Sequence, residues 1–332
     1  MLSPSKTVGE FTLIRHFQNI LKSQAIPRGA IGIGDDASVY PQGKHASWLM
    51  THDMLLAGIH FLPPQGRGWW ELGWKALAVN LSDIAAMGGR PSQALVGLGL
   101  PDKLSPSGLQ NFYRGLKACA KKYFCPILGG DTNRSLSGLV IAITVLGKCV
   151  GKPSLRSGAR PGDGLWISGR LGEAALGWKA IQRHDSTALS EAFRRRHALP
   201  EPRLAWGEAL RLSGHVSAMM DVSDGIAGDL RRMAEASGVG FAVKLEKIPR
   251  SKKSIMLAKK LKVDPLELQV AGGEDYELLF CVRRAQAKAF EAWRKKQRFP
   301  FTKIGETTTS RKIQFLDQGQ LRHFRGFEHF KD

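Results

Sequence analysis

The chain is short of acid. Its 332 residues carry 29 Asp and Glu against 49 Lys and Arg, a formal net charge of +20, with only 4 cysteines, 4 tyrosines and 9 histidines. No Cys-x-x-Cys pair occurs, which removes the spacing used by thiolate zinc sites and thioredoxin-like redox motifs. Cys119, Cys125, Cys149 and Cys281 sit within apolar runs, so they are expected to be reduced and buried in a cytoplasmic protein. No apolar stretch approaches the roughly 20 residues that a membrane-crossing helix needs; Leu139 to Leu146 is the longest candidate. Met1 to Glu10 lacks the apolar core of a secretory signal, and no membrane partner is expected. Also missing is any Gly-x-x-x-x-Gly-Lys-Ser/Thr phosphate loop, which excludes a P-loop kinase.

The excess of base raises nucleic-acid binding as a reading, since clustered Lys and Arg neutralise backbone phosphates. However, the runs Arg194-Arg195-Arg196, Lys252-Lys253 and Lys259-Lys260 lie apart from the acidic motifs and lack interleaved aromatics. They read as solvated surface, and no nucleic-acid partner is expected. A basic field would still speed encounter with an anionic nucleotide, an effect that salt weakens. A hydrophobic content of 43% and a charged content of 23% are those of a globular protein. At 332 residues the chain exceeds the roughly 250–300 at which single cores stop growing, so two domains are expected.

Against that basic background the acids that are present gather in short, often Gly-containing strings: Gly34-Asp35-Asp36, Thr51-His52-Asp53, Leu81-Ser82-Asp83, Gly129-Gly130-Asp131, Asp221-Val222-Ser223-Asp224 and Gly272-Gly273-Glu274-Asp275. Mg²⁺ prefers oxygen ligands, keeps several waters and bridges a few carboxylates to substrate phosphates, so this set reads as a hard-metal site serving phosphate chemistry. Gly32-Ile33-Gly34-Asp35-Asp36-Ala37 formally fits a dinucleotide turn, but its adjacent carboxylates would repel a pyrophosphate and no good strand precedes it.

Helical spacing of Leu13, Ile14, Phe17, Ile20 and Leu21 predicts an amphipathic first helix over Phe11 to Leu21. Trp69 to Met87 reads as a helix stopped by Gly88-Gly89 and Pro91, with Asn80 and Asp83 on one face. Ser105-Pro106 predicts an N-cap and first-turn proline. Ile127-Leu128 leads into Gly129-Gly130-Asp131, Leu139 to Leu146 predicts a buried strand, and strands are expected to deliver the carboxylates to loops. A boundary is expected near Gly147 to Gly164, followed by a second strand-helix series with its own element, Met219 to Asp224, and a helix from about Ile226 to Ala236 closing at Gly238.

Taken in order, Gly32-Ile33-Gly34-Asp35-Asp36-Ala37, Asp53 with Ala57-Gly58-Ile59-His60-Phe61, Lys75 to Gly88, Gly129-Gly130-Asp131-Thr132, Asp221-Val222-Ser223-Asp224-Gly225 and Gly272 to Leu278 resemble the thiamine-monophosphate kinases. The resemblance runs from Gly9 to Phe330. Individual strings are shared with relatives that make aminoimidazole ribonucleotide or selenophosphate; the His-Phe after Ala-Gly, the Asn-Leu-Ser-Asp helix and the Gly-Gly-Glu-Asp-Tyr-Glu element are the specific ones. It implies ATP-dependent conversion of thiamine monophosphate to thiamine diphosphate on an α/β (α+β) two-domain aminoimidazole ribonucleotide synthetase-like fold. An N-terminal α/β domain, 1–150, would bind ATP and Mg²⁺ and form a homodimer, and a C-terminal α/β domain, 151–332, would complete the substrate site. By the same resemblance Asp36, Thr51, Asp53, Asp83, Asp131, Asp221 and Asp224 would hold several Mg²⁺ ions, and Asp83, Asp131 and Asp224 would serve catalysis. Gly130, Arg156 and Ser223 would contact ATP, while His60, Glu274 and Phe324 would contact the thiamine phosphate.

The chain departs from the family at His52, where Thr is common, so His52 is left out of the metal set, and at Phe324, where relatives carry Trp. The chemistry is consistent with the residues. A phosphate monoester has a second pKa near ~6 and is largely dianionic at neutral pH, so no general base is needed. The obstacle is repulsion between two polyanions, which metal ions relieve while the reacting oxygens are aligned. The competing readings are a related ATP-using synthetase with a different acceptor, and a basic nucleic-acid-binding protein.

Overall fold

The computed structural model describes residues 9–21, 23–324 and 326. Alternation of apolar and polar residues builds the first sheet from β1 (Ser38–Gln42), β2 (Ala46–Leu56), β3 (Arg90–Leu100), β4 (Ile127–Arg134) and β5 (Val140–Val150), in the order β1-β2-β5-β3-β4. Only the β3–β4 pair is parallel. Along β5 the even positions are partly or fully open and Ile141, Ile143, Val145 and Cys149 are buried. The expected buried strand is therefore buried on one side, the other side being only partly covered among the described residues. The second sheet runs β12-β11-β8-β10-β6-β9-β7, built from β6 (Gly164–Ser168), β7 (Val216–Asp221), β8 (Gly240–Lys244), β9 (Leu278–Val282), β10 (Phe301–Thr308), β11 (Ile313–Asp317) and β12 (Gln320–Arg322).

The helices are α1 (Glu10–Leu21), α2 (Gly68–Ala86), α3 (Pro106–Lys122), α4 (Glu173–Gln182), α5 (Ala188–Ala198), α6 (Leu204–Leu212), α7 (Ile226–Ser237), α8 (Lys252–Lys260), α9 (Pro265–Ala271) and α10 (Ala287–Lys295). The punctuation read from sequence operates as expected: Ser105 caps α3 by accepting from Gly108 N, and Gly238 closes α7 in the left-handed region at φ +68°. α2 is apolar nearly all round, the mark of a helix buried on every side. Leu77, Leu81 and Ile84 pack into the core of the first sheet, while Ala85 and Ala86 join Met219, Phe280 and Phe290 in a core of the second. Close approach makes this possible. A Cβ on Gly115 would stand 1.9 Å from Trp70 O, and one on Gly207 1.9 Å from Ala85 O, so α3 and α6 lie backbone to backbone against α2.

Two expectations change. The apolar side of α1 is not a core face, since Phe17, Ile20 and Leu21 are exposed; Ile14 and Glu10 instead wall a cleft, and Gln18 donates to Ile33 O. The Arg194-Arg195-Arg196 run is not all solvated surface either. Arg196 reaches inward to Glu277 (3.1 Å), a fully buried carboxylate also held by Arg203 (2.6 Å) and the Ser168 hydroxyl (2.6 Å). All four cysteines are free and buried. No described helix is long and apolar enough to cross a membrane.

Candidate functional site

Where α2 passes between the sheets, a cleft of about 1000 Å³ opens. Its acidic floor comes from four segments: the bend before β1, strand β2, helix α2 and the end of β7 with its following loop. Strand alternation turns Thr51 and Asp53 inward and His52 to the open face, where its Nδ1 lies 2.8 Å from Thr144 Oγ1 on β5. His52 nonetheless contributes to the cleft lining beside Thr51 and Asp53. Asn80 and Asp83 both reach β2: Asn80 Oδ1 accepts from Asp53 N at 3.1 Å, and Asp83 accepts a short hydrogen bond from the Thr51 hydroxyl. Ser82, on the next face of the same helix, donates to Asp221 at 2.6 Å and ties α2 to the second sheet.

One carboxylate oxygen from each of Asp36, Asp83 and Asp221 lies within 4.8 Å of the others. Burial pushes the Asp83 carboxyl well above its usual range, with repulsion from Asp53, Asp221 and Asp36 adding to it. Burial, then Asp224 and Asp36, raise Asp53 to about 6; burial, then Asp36, raise Asp221 to about 7. Asp35 is likewise raised to about 7 by burial and by Asp36, and its carboxylate accepts from Arg156 N. The Arg156 guanidinium, 2.6 Å from Asp36 Oδ1, offsets part of this. Asp36 Oδ2 is buried without a hydrogen-bond partner. Asp224 is drawn aside by Arg232 at 2.5 Å, which also holds Asp229 at 2.8 Å.

Another part of the lining carries different chemistry. Glu274 lies beside Lys75 (2.7 Å) and His197 (2.8 Å), and although burial opposes it, the Lys75 ammonium and His197 bring its carboxyl down to about 2. Neighbouring Asp275 caps the start of α4, accepting from Gly172 N and Ala174 N, and so has no direct place in the cleft. His60 and Ser223 line the cleft, with His60 Nδ1 accepting from Leu56 N.

The structure therefore brings together Asp36, Thr51, Asp53, His60, Asp83, Arg156, Asp221, Ser223, Asp224 and Glu274. It does not bring in Gly130, Asp131 or Phe324. Asp131 is within β4 rather than on a loop, exposed, and bonded to Thr132 N and Asn133 Nδ2. Gly130 has a backbone reason to be glycine, since a Cβ there would stand 1.8 Å from Val96 O. Phe324 packs edge-on against Phe315 at 5.5 Å beside the core of the second sheet. Sequence reading passed over Lys75, Ser82, Trp178 and His197. Lys75 had one signal, a lone charge inside an apolar helical run; His197 had none.

Residues 34–149 match the N-terminal domain of the AIR synthase related proteins, and residues 160–318 match their C-terminal domain. The chain is 36% identical to a thiamine-monophosphate kinase of Rhodopirellula baltica over 86% of this chain and 85% of that one. It is 34% identical to that of Bacillus subtilis over 91% and 94%. A solved structure described as AaThiL complexed with AMPPCP and TMP superposes with a TM-score of 0.86 at 30% identity, covering 99% of this chain and all of that one.

Proposed function

The chain belongs to the AIR synthase related family and, within it, to the thiamine-monophosphate kinases, and we infer that it transfers the γ-phosphoryl group of ATP to thiamine monophosphate, forming thiamine diphosphate. The observation that carries this reading in the chain itself is the convergence of Asp36, Asp83 and Asp221 in a large cleft with an organic-cation-compatible carboxylate, Glu274, in another part of its lining. No residue there is needed as a base, because the acceptor monoester is already largely dianionic at neutral pH.

Mg²⁺ is proposed as the metal. Support comes from the all-oxygen donor set, from buried carboxyls whose mutual repulsion lacks enough positive charge nearby, and from the buried, unpartnered Oδ2 of Asp36. Asp36, Thr51, Asp53, Asp83, Asp221 and Asp224 would hold the ions, which supply charge neutralisation for the two phosphate groups. The chain's own work is placement. Thr51 and Ser82 fix the carboxylates of Asp83 and Asp221, Asn80 fixes the backbone at Asp53, and Arg156 and Ser223 face the same space for ATP. His60 and Glu274 are proposed to contact the acceptor. Roles for Gly130, Asp131 and Phe324 rest on the family resemblance, since they lie outside the cleft. The transfer is proposed to be direct and in line, without a phosphorylated enzyme; trapping a phosphoprotein that turns over at a competent rate would refute that.

The N-terminal sheet is proposed to pair with a second copy. Its open face exposes the apolar side chains of Tyr40, Met50, Met54 and Leu95 around the polar His52 and Thr144, and exposed apolar groups gathered on one face mark an interface. Four free buried thiols support a reducing, cytoplasmic setting. The functional test is incubation with ATP, Mg²⁺ and thiamine monophosphate, with free thiamine as the control acceptor and products read by phosphorus NMR. Thiamine diphosphate should form from the monophosphate alone and only with Mg²⁺; no product from folded, ATP-binding protein would redirect the assignment to a related synthetase.

A further inference from the structure

Glu274 is delivered to the cleft by constrained backbone. It has φ +67° and Tyr276 has φ +49°, values that side-chain-bearing residues adopt only when their surroundings impose them. Gly272 and Gly273 just before it are packed so tightly that a Cβ would stand 2.2 Å from Leu268 O and 2.3 Å from Ser223 O. Glu274 N and Tyr276 N donate to Ser223 O and Val222 O, which ties this turn to the loop bearing Asp224.

Behind the carboxylate stand two groups from separate elements. Lys75 Nζ, from the middle of α2, is 2.7 Å from Oε1, and His197 Nδ1, from the last turn of α5, is 2.8 Å from Oε2. Lys75 Nζ and His197 Nε2 are 3.5 Å apart, so the three side chains close a triangle. Of these, the Lys75 and His197 side chains are 4% and 8% exposed and Glu274 is 27% exposed; His197 and Glu274 both line the cleft, and the carboxylate is the more open of the two. Burial and then the Lys75 charge hold His197 below its ordinary range, toward the neutral form. With Nε2 facing an ammonium, that nitrogen is assigned the lone pair, which leaves the proton on Nδ1, 2.8 Å from Glu274 Oε2 but not aligned with it as a hydrogen bond, so the pair is a close electrostatic contact. Trp178 stacks on the imidazole at 5.0 Å and 27° and itself lines the cleft.

A buried ammonium needs a partner, and any carboxylate or set of carbonyls would satisfy it. The triangle does more: it fixes the ionisation, rotamer and direction of one partly solvated carboxylate on a strained turn. Resting on the kinase reading above, we propose that Lys75 and His197 are positioning residues for the acceptor, holding Glu274 ionised and immobile so that it selects the nitrogen-bearing organic end of the substrate. Arg156, proposed for ATP, pairs with Asp36 and with neither Lys75 nor His197, so loss of either is expected to fall on the acceptor.

The test is steady-state kinetics on Lys75→Met, His197→Ala and His197→Asn, with KM for thiamine monophosphate and for ATP measured separately and folding followed by thermal melting. Lys75→Met and His197→Ala should raise the acceptor KM about tenfold or more while the ATP KM stays within about twofold. His197→Asn keeps an N–H near the Nδ1 position and should recover most of that loss. An unchanged acceptor KM, an ATP KM rising in step, or Asn behaving as Ala would overturn the proposal. Should Lys75→Met fail to fold, the two His197 variants decide alone. A wild-type protein that makes no thiamine diphosphate would overturn the kinase reading instead, which separates the two failures.

Discussion

Replacing Asp83 by Asn removes a negative charge at nearly constant volume from a place where Asp53, Asp221 and Asp36 already repel it. Two measurements should therefore move in opposite directions: kcat falls about 10²-fold or more as a metal-holding oxygen loses its charge, and the melting temperature of metal-free protein rises. Turnover like the wild type would reject Asp83 as a ligand. His52→Thr, one residue from Thr51 but on the other face of β2, should leave kcat/KM within about twofold; a large loss would give the imidazole a role of its own. The same carboxyls fix a pH dependence. Asp53 is raised to about 6, and Asp35, Asp221 and Asp275 to about 7, each from an ordinary 3.8. The folded state then binds more protons than the unfolded one between about pH 4 and 7, so stability falls as pH climbs through that window. Melts in chelator should show this slope and Mg²⁺ should reduce it. Glu274 works the other way, but its contribution is complete above its ordinary 4.5 and is lost only as pH falls through about 2, outside the window. At this scale the acids were legible because glycine and a basic background set them apart, whereas His197 was not, since its meaning is a contact with Glu274, 77 positions further along the chain.

The elements were legible where local chemistry decides them. Ser105-Pro106 opens α3, Gly88 and Gly238 close α2 and α7, and apolar periodicity gives their bodies. It failed where the answer lies in what an element meets. Leu139 to Leu146 reads as buried because its residues are apolar, yet half of them face an open side. The apolar residues of α1 likewise predict a packed stripe that the fold does not use. Asp131 was expected on a loop because glycines precede it, but Gly130 serves the close run of β4 along β3. Gly115 tests helix packing directly. Alanine there would place a methyl 1.9 Å from Trp70 O, with backbone on both sides, so Gly115→Ala should destabilise by about 1–3 kcal/mol or more, read as a lower melting temperature.

At the scale of the whole molecule, the open face of the first sheet leaves apolar side chains exposed among the described residues. Met54 and Leu95, 48% and 50% exposed, lie on it. Sedimentation should find a dimer, and Met54→Lys with Leu95→Lys should shift it to monomer without lowering the monomer's own helix content. A wild-type monomer at micromolar concentration would rule out the proposed pairing.

One further consequence follows from α2 lying in both cores. Two lobes that clamp a ligand by swinging need a seam along which they can part, and here the seam is filled by a helix whose middle belongs to one lobe and whose last turn belongs to the other. The contact of Gly207 with the Ala85 carbonyl and the bond from Ser82 to Asp221 pin it at that crossing. Opening the lobes would expose α2 and dismantle the acidic floor together, so traffic through the cleft has to pass over its rim, where α1 leans with its exposed side toward solvent. Product departure is then expected to be sensitive to substitutions in that light outer wall, and Phe17→Ala in α1 should change the release rate more than the binding of metal.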